Sequence, residues 1–84
     1  MGRFEVELSK EAARQYEKLP KEYKRLIGIA LSRLSEGLEL DLKPVHGRKD
    51  VYRIRVGKYR ILFIKFSRSM LVFRISPRGD VYKT

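Results

Sequence analysis

The sequence predicts an α+β protein of two layers, in which a helical hairpin covers one face of an antiparallel sheet. Residues 51–82 contain three runs rich in Val, Ile, Tyr and Phe, which short turn segments separate as in a three-stranded meander. Residues 10–35 carry apolar side chains at helical spacing on both sides of Pro20. At 84 residues the chain is expected to form a single domain, residues 1–84.

The N-terminal half predicts one strand and two helices. Residues 4–8 alternate apolar with acidic side chains, which is typical of a half-buried strand. Ser9 is placed to cap a first helix over residues 10–19, and Pro20 ends that helix because proline disfavours the helical conformation of the preceding residue. A second helix is expected to run to about Ser35 and to stop at Gly37.

The rest of the chain is expected to connect and complete the sheet. Residues 38–42 alternate apolar with acidic residues, but they follow a helix stop and precede Lys43 and Pro44, so they more readily wrap the edge of the core than form a strand. Residues 44–50 are predicted to be a basic loop. Turn chemistry at residues 77–80 leaves room for a short final strand at Val81 and Tyr82.

Strand pairing predicts which way the arginines of the meander point. With Gly57 and Lys58 as a two-residue turn, Arg55 faces Arg60. Side chains alternate along a strand, so these two share one face with Arg53, and the helices cover the other face.

A three-residue loop over residues 67–69 would extend this register into the last strand. It predicts that Phe66 lies opposite Met70 and that Leu62 lies opposite Arg74, which adds Arg74 to the basic face. The helix-covered face then receives Leu71, Phe73 and Ile75. The basic face receives an uncovered apolar stripe of Leu62, Ile64, Phe66, Met70 and Val72.

Formal charge is +10, and the whole excess lies in residues 43–84, because residues 1–42 carry as many acids as bases. Charge confined to one layer indicates a phosphate-bearing or strongly acidic partner. The alternative, a solubilising surface, more naturally mixes both signs. Opposed arginines also weaken a hairpin, so Arg55 against Arg60 does not serve stability alone.

Several classes of protein are excluded by composition. The absence of cysteine excludes disulfides, thiolate metal sites and a cysteine nucleophile. No apolar run is long enough for a membrane span and no signal-peptide core is present, so a cytoplasmic protein is expected. The absence of asparagine, with heavy use of Lys, Arg and Glu, is typical of a thermophile. His46 is the single histidine. A lone histidine in a loop is more often a solvated surface residue than a catalytic one.

The sequence resembles that of the RelE/ParE toxin superfamily over nearly the whole chain. The resemblance is carried by YRIRVGKYRILF at residues 52–63, by the helical hairpin before it, and by VFRI with an Arg-x-x-x-Tyr ending after it. It implies a RelE-like fold and a toxin of a type II toxin–antitoxin system. Members of RelE type enter the ribosomal A site and cleave mRNA by attack of the ribose 2′-hydroxyl on the adjacent phosphate, without a metal or other cofactor.

The resemblance also implies site residues and partners. The catalytic positions of the family fall on Arg55, Arg60, Arg78 and Tyr82. RNA binding is assigned to the remaining basic residues of the face and its adjoining loop, which are Arg48, Lys49, Arg53 and Arg74. The implied partners are the 30S A site of the ribosome with its mRNA, and a small acidic RelB-like antitoxin.

One departure from the family pattern affects the chemistry. Arg53 and Arg55 stand where the best-known members carry lysines, and a guanidinium group cannot act as an ordinary general base. These arginines are therefore expected to clamp the phosphate and to stabilise charge in the transition state. The proton can move to Tyr82, to water or to the ribosome, and the ring of Tyr82 can alternatively stack on a base.

Two other functions remain open from sequence. A ParE-type member would inhibit DNA gyrase without nuclease activity, and a non-catalytic module would use the same face only to bind RNA. The presence of both Arg78 and Tyr82 favours the nuclease. The uncovered apolar stripe marks a binding site, and we expect the antitoxin to contact it through Leu62, Ile64, Met70 and Val72. The alternatives are that the antitoxin wraps the helices, or that two copies of the chain pair through the stripe.

Overall fold

The computed structural model describes residues 4–37 and 42–77. Its elements, in chain order, are β1 (Glu5–Leu8), α1 (Lys10–Glu17), α2 (Lys21–Ser35), β2 (Leu42–Pro44), β3 (Val51–Val56), β4 (Tyr59–Lys65) and β5 (Ser69–Pro77). The predicted α+β architecture of two layers is confirmed, because both helices pack on one face of a five-stranded sheet. No helix in the described ranges is both long and apolar enough to cross a membrane.

The strands follow the order β1-β5-β4-β3-β2, and this order places the N-terminal strand beside the last one. β1 pairs with β5 in parallel, whereas the other three pairs of strands are antiparallel, so the sheet is mixed and not wholly antiparallel as predicted. Parallel strands need a long connection, and here it is the chain between β1 and β5, which contains both helices and the other three strands. β5, β4 and β3 are therefore flanked on both sides, and β4 is the central strand.

The helix boundaries agree with local chemistry. The hydroxyl of Ser9 accepts a hydrogen bond from the N–H of Ala12 at 3.1 Å, as predicted for the cap of α1. The helix ends at Glu17 and not at residue 19, and Leu19 is buried in the turn before α2. Pro20 is the N-cap of α2, so it directly precedes the first helical position, where proline is most common. Gly37 adopts a φ of 76°, as expected for a left-handed helix stop.

The core lies between the helices and the sheet. Its largest fully buried side chains are Ile27 from α2, Ile61 and Phe63 from β4, and Val72 from β5. Val6 and Leu8 of β1 also pack against this core, while Glu5 and Glu7 are exposed. The alternation that predicted a half-buried first strand is thus confirmed.

β2 is a strand that the sequence did not lead us to expect. Leu42, Lys43 and Pro44 pair with Ile54, Arg53 and Tyr52 of β3, so part of the predicted loop at residues 44–50 belongs to the sheet. The edge of β3 has unpaired backbone groups, and β2 forms hydrogen bonds with them. A strand of three residues is too short to show a recognisable alternation of apolar and polar residues. The remainder of the stretch at residues 38–41 lies outside the described residues, as does the predicted strand at Val81 and Tyr82.

The turn between β4 and β5 differs from the prediction. The N–H of Phe66 donates to the carbonyl of Ser69 at 2.7 Å, which closes a loop of two residues in place of the predicted three. Lys65 therefore pairs with Met70, and Phe66 does not lie opposite Met70. A β-bulge next to the pair of Phe63 with Val72 then inserts one extra residue in β5, which restores the predicted pairing of Leu62 with Arg74.

This change exchanges the faces of four residues in β5. Met70 and Val72, predicted on the uncovered face, are 4% and 0% exposed in the core beneath the helices. Leu71 and Phe73, predicted in that core, lie on the uncovered face, where Leu71 pairs with Ile64 and Phe73 packs beside Leu62. The bulge brings Ile75 back to the core, as predicted.

The β3–β4 hairpin is held against the start of α2. Gly57 adopts a φ of 59°, and a Cβ atom at this position would lie 2.5 Å from the hydroxyl oxygen of Tyr23. That hydroxyl accepts a long hydrogen bond of 3.5 Å from the N–H of Lys58, and the ring of Tyr23 packs on Tyr59 with 4.7 Å between centroids. Glycine is therefore required here both by the backbone conformation and by the close approach of the helix.

Candidate nucleic-acid interface

The face of the sheet opposite the helices, which we call the open face, carries basic residues of β3, β4 and β5. The register confirms that Arg55 pairs with Arg60, that Arg53 pairs with Leu62, and that Leu62 pairs with Arg74. Residues that pair directly share a face of the sheet. The pairing of Lys43 with Arg53 adds a fifth basic residue from β2.

These residues form two rows that cross the sheet at right angles to the strands. We define the hairpin row as Arg55, Arg60 and Ser76, which pair in that order across β3, β4 and β5. We define the middle row as Lys43, Arg53, Leu62 and Arg74, which pair across β2, β3, β4 and β5. The rows are separated by two residues along each strand, which is roughly 6.6 Å.

The hairpin row sets two guanidinium groups directly opposite each other beside the Gly57 turn. Such a like-charge pair costs some tenths of a kcal/mol or more when no anion lies between the groups. Arg55 is exposed and Arg60 is half-buried. Since Tyr23 and Tyr59 brace the turn from the helix side, the hairpin keeps its shape despite this repulsion.

Several polar atoms of the open face are buried without a hydrogen-bond partner among the residues that the structure describes. They are Nη1 of Arg53, Nε of Arg74 and the hydroxyl oxygen of Ser76, a residue that is only 8% exposed. A buried donor without an acceptor typically costs about 1–3 kcal/mol, and more when it is charged. The oxygen atoms of an anion are the acceptors that best satisfy donors of this kind.

An apolar cluster adjoins the basic rows on the same face. Val45, Val51 and Leu62 form its buried part, and Ile64 and Phe73 pack against them. Phe66, which directly follows β4, is 53% exposed. The predicted antitoxin contacts Met70 and Val72 are wrong for this face, since both side chains lie in the core on the helix side of the sheet.

The loop that enters β3 lies at the far end of the face. Arg48 and Lys49 are exposed, and the loop is held by hydrogen bonds from the N–H of Arg48 to Val45 and from the N–H of Lys65 to Asp50. Arg55 lies four residues beyond the start of β3, which is roughly 13 Å along the strand. Arg48 and Lys49 are therefore not brought together with the hairpin row.

The structure thus assembles part of the predicted site. It brings together Arg53, Arg55, Arg60 and Arg74, whereas Arg78 and Tyr82 lie outside the described residues. Sequence reasoning missed Lys43 and Ser76. Lys43 gave no signal because its strand was not predicted, but Ser76 could have been found as the polar residue that alternates with Ile75 at the end of β5.

The chemistry available in the two rows is that of binding and charge stabilisation. Guanidinium groups donate paired hydrogen bonds to phosphate oxygens and remain charged at any pH at which proteins are normally folded. The rows contain neither a carboxylate nor an imidazole, and His46 is exposed on the distant loop. The described part of the face can hold a phosphate and stabilise extra negative charge on it, but it supplies no ordinary general base.

Comparisons with known proteins agree with this fold. Residues 6–82 match the family model of the ParE toxin of type II toxin–antitoxin systems. The chain is 30% identical over 87 residues to a protein of Methanocaldococcus jannaschii described as putative toxin RelE1, and the match covers 96% of this chain and 97% of that protein.

Solved structures show the same architecture. The RelB–RelE antitoxin–toxin complex from Methanococcus jannaschii contains a chain that matches with a TM-score of 0.75 and 26% identity, over 90% of this chain and 94% of that chain. The isolated E. coli RelE toxin matches with a TM-score of 0.77 at 18% identity, over 94% of this chain and 90% of that chain. At that lower identity the second likeness concerns the fold alone.

Proposed function

Because this chain belongs to the RelE/ParE family of toxins of type II toxin–antitoxin systems, we propose that it is a ribosome-dependent endoribonuclease that cleaves mRNA in the A site. The observation that carries the proposal is the open face itself, where basic side chains stand in two rows and where Arg53 and Arg74 of the middle row have buried donors without an acceptor in the described part of the chain. A phosphodiester supplies the charge and the oxygen atoms that this surface needs. The proposed substrate and ribosome place the protein in the cytoplasm.

In the proposed reaction the ribose 2′-hydroxyl attacks the adjacent phosphorus and the bond from phosphorus to the 5′-oxygen breaks. Negative charge grows on the non-bridging oxygens in the transition state, and Arg55 and Arg60 face each other in the position to stabilise it. Since guanidinium groups do not accept the proton of the hydroxyl, it passes to Tyr82, to water or to the ribosome, and the departing 5′-oxygen takes up a proton from one of the same sources. Arg78 and Tyr82 remain predicted catalytic residues on the strength of the family motif.

The first test compares the two activities of the family on the purified protein. We expect cleavage of mRNA on programmed ribosomes, mapped by primer extension, and poor cleavage of the same RNA without ribosomes. The matched experiment measures supercoiling by DNA gyrase, because the family model that fits residues 6–82 is named for ParE. Inhibition of gyrase without ribosomal cleavage would replace the nuclease by a ParE-type function, and neither activity would leave a non-catalytic RNA-binding module.

We also propose that an acidic antitoxin binds the open face. The similar structure from Methanococcus jannaschii is a complex of a RelB antitoxin with a RelE toxin, and the apolar cluster of the present chain lies next to its basic rows. An amphipathic segment with carboxylates on its polar side would pair with both. The apolar contacts that we assign to it are Leu62 and Ile64, as predicted from sequence, together with Phe66, Leu71 and Phe73 in place of Met70 and Val72.

Ile64→Glu is expected to lower antitoxin affinity by about tenfold or more, because it sets a carboxylate where an apolar contact is proposed. Phe66→Glu should act in the same direction, and its parent side chain is exposed enough for the variant to fold. The measurement is isothermal titration calorimetry with the cognate antitoxin, after circular dichroism has shown that each variant is folded.

The matched control is Ile29→Glu, which makes the same change at an exposed position of α2 on the helix side of the molecule. It should leave the affinity within about twofold. If Ile29→Glu weakens binding while Ile64→Glu and Phe66→Glu do not, the antitoxin wraps the helices and the open face is not its site.

A further inference from the structure

The middle row has the features of a binding site in its own right. Arg53 and Arg74 stand on either side of Leu62, one on each neighbouring strand, and so lie roughly 10 Å apart at the backbone. Leu62 is only 6% exposed and forms an apolar floor between them. Two long side chains that flank such a floor can converge on one anion above it, where a reduced dielectric strengthens each hydrogen bond.

The β-bulge in β5 is what brings Arg74 to this row. With the two-residue turn that the structure has, an uninterrupted ladder would pair Arg74 with Ile61 and direct the guanidinium group into the core. The extra residue at the bulge moves Arg74 opposite Leu62 on the open face. Bulges are over-represented beside active sites, where they change the direction of a side chain.

The buried donors of this row are separate from the hairpin row. Nη1 of Arg53 and Nε of Arg74 have no acceptor within residues 4–37 and 42–77, although both atoms are shielded from solvent. Lys43 extends the row to the edge of the sheet, where it is exposed. A phosphate held between Arg55 and Arg60 would lie one row, roughly 6.6 Å, from these donors. This spacing leaves room for a second phosphate above Leu62.

We propose that the middle row is a second phosphate subsite, which binds the linkage next to the one held by the hairpin row. This inference rests on the proposed function, in which the hairpin row holds the reacting phosphate. The separation of the rows is on the order of the distance between neighbouring phosphates in an extended single strand, and a charged groove that follows the backbone is how proteins hold single-stranded nucleic acid. The ligand is then a single-stranded RNA with at least two consecutive phosphodiesters.

The test uses a fluorescent 2′-O-methyl trinucleotide, which has two linkages and no 2′-hydroxyl with which to react. Two further probes carry a neutral methylphosphonate at the first or at the second linkage. Binding to the purified protein is followed by fluorescence anisotropy at low ionic strength. Wild-type protein should bind the fully charged probe about fivefold or more tightly than either neutralised probe, because each linkage engages its own row.

Variants then assign each linkage to a row. Arg74→Gln should lower the affinity for the fully charged probe about fivefold or more. It should have little effect on the affinity for the probe whose middle-row linkage is already neutral. Arg60→Gln should show the reverse pattern with the two neutralised probes. Lys43→Gln should resemble Arg74→Gln with a smaller effect, and since Lys43 is exposed this variant folds even if Arg74→Gln does not.

Arg14→Gln is the matched control, because it removes one exposed arginine from α1 on the other side of the sheet. It should change no affinity by more than about twofold. If Arg74→Gln and Arg60→Gln lose equal affinity for both neutralised probes, the face is one diffuse basic surface and the second subsite is overturned. Failure of the wild type to bind any probe would overturn it as well. Because these probes cannot be cleaved, a protein that shows two subsites but never cuts mRNA would refute only the nuclease proposal.

Discussion

Arg60→Ala is expected to lower mRNA cleavage on programmed ribosomes by about tenfold to a thousandfold, the range for losing one donor that stabilises charge in a transition state. Arg60 lies on the central strand β4, directly opposite Arg55 and Ser76, so it is the middle member of the hairpin row. Neither neighbour can move into its place without breaking the ladder. The measurement is the single-turnover rate of cleavage with ribosomes in excess.

The matched control for this experiment is Arg14→Ala, which removes the same charge from the helix side and should keep cleavage within about twofold of wild type. Arg60→Lys should recover only part of the rate, since an ammonium group lacks the paired donors of guanidinium. Undiminished translational arrest by a folded Arg60→Ala protein would show that the hairpin row does not hold the reacting phosphate.

Val72→Asp is expected to leave the chain largely unfolded. Val72 is 0% exposed between the helices and the sheet, and a carboxylate there has no partner, which places the substitution among those that cost about 4 kcal/mol or more. Small domains have a total free energy of unfolding of only about 5–15 kcal/mol. Far-ultraviolet circular dichroism with urea titration measures the loss.

Leu71→Asp is the matched control, one residue away on the open face, and it should remain folded with a loss of about 1 kcal/mol or less. The two variants test the register of β5 directly. With the pairing predicted from sequence, Leu71 would be buried and Val72 would lie on the open face, so Leu71→Asp would be the less stable variant. A stable Val72→Asp protein beside an unfolded Leu71→Asp protein would therefore contradict the two-residue turn and the bulge.

Local signals were sufficient for most of the helix-covered layer and for the first hairpin. The cap at Ser9, the stop at Gly37 and the turn at Gly57 depend on the backbone preferences of single residues, and each was predicted where it occurs. The pairing of Arg55 with Arg60 followed from that turn, because a two-residue loop leaves one register. The basic face of this hairpin could therefore be inferred from turn chemistry and alternation alone.

The faces of β5 could not be predicted in the same way. Residues 70–73 read Met-Leu-Val-Phe, so alternation contains no polar residue to mark which side is covered. Both a three-residue loop without a bulge and a two-residue loop with a bulge pair Leu62 with Arg74. The two arrangements differ in which pair of residues, Met70 and Val72 or Leu71 and Phe73, lies on the helix-covered face. The choice depends on how the side chains fit beneath the helices.

The sequence by itself determined the layer arrangement, the concentration of charge in one half and the alignment of Arg53, Arg55 and Arg60, because periodicity and turn chemistry act within a few residues. Only the tertiary structure decided that β2 extends the sheet with Lys43, that β1 lies parallel to β5, and that the bulge directs Arg74 outward. These features arise from contacts between residues far apart in the chain. Their free energy depends on packing and on unpaired strand edges, which no local pattern records.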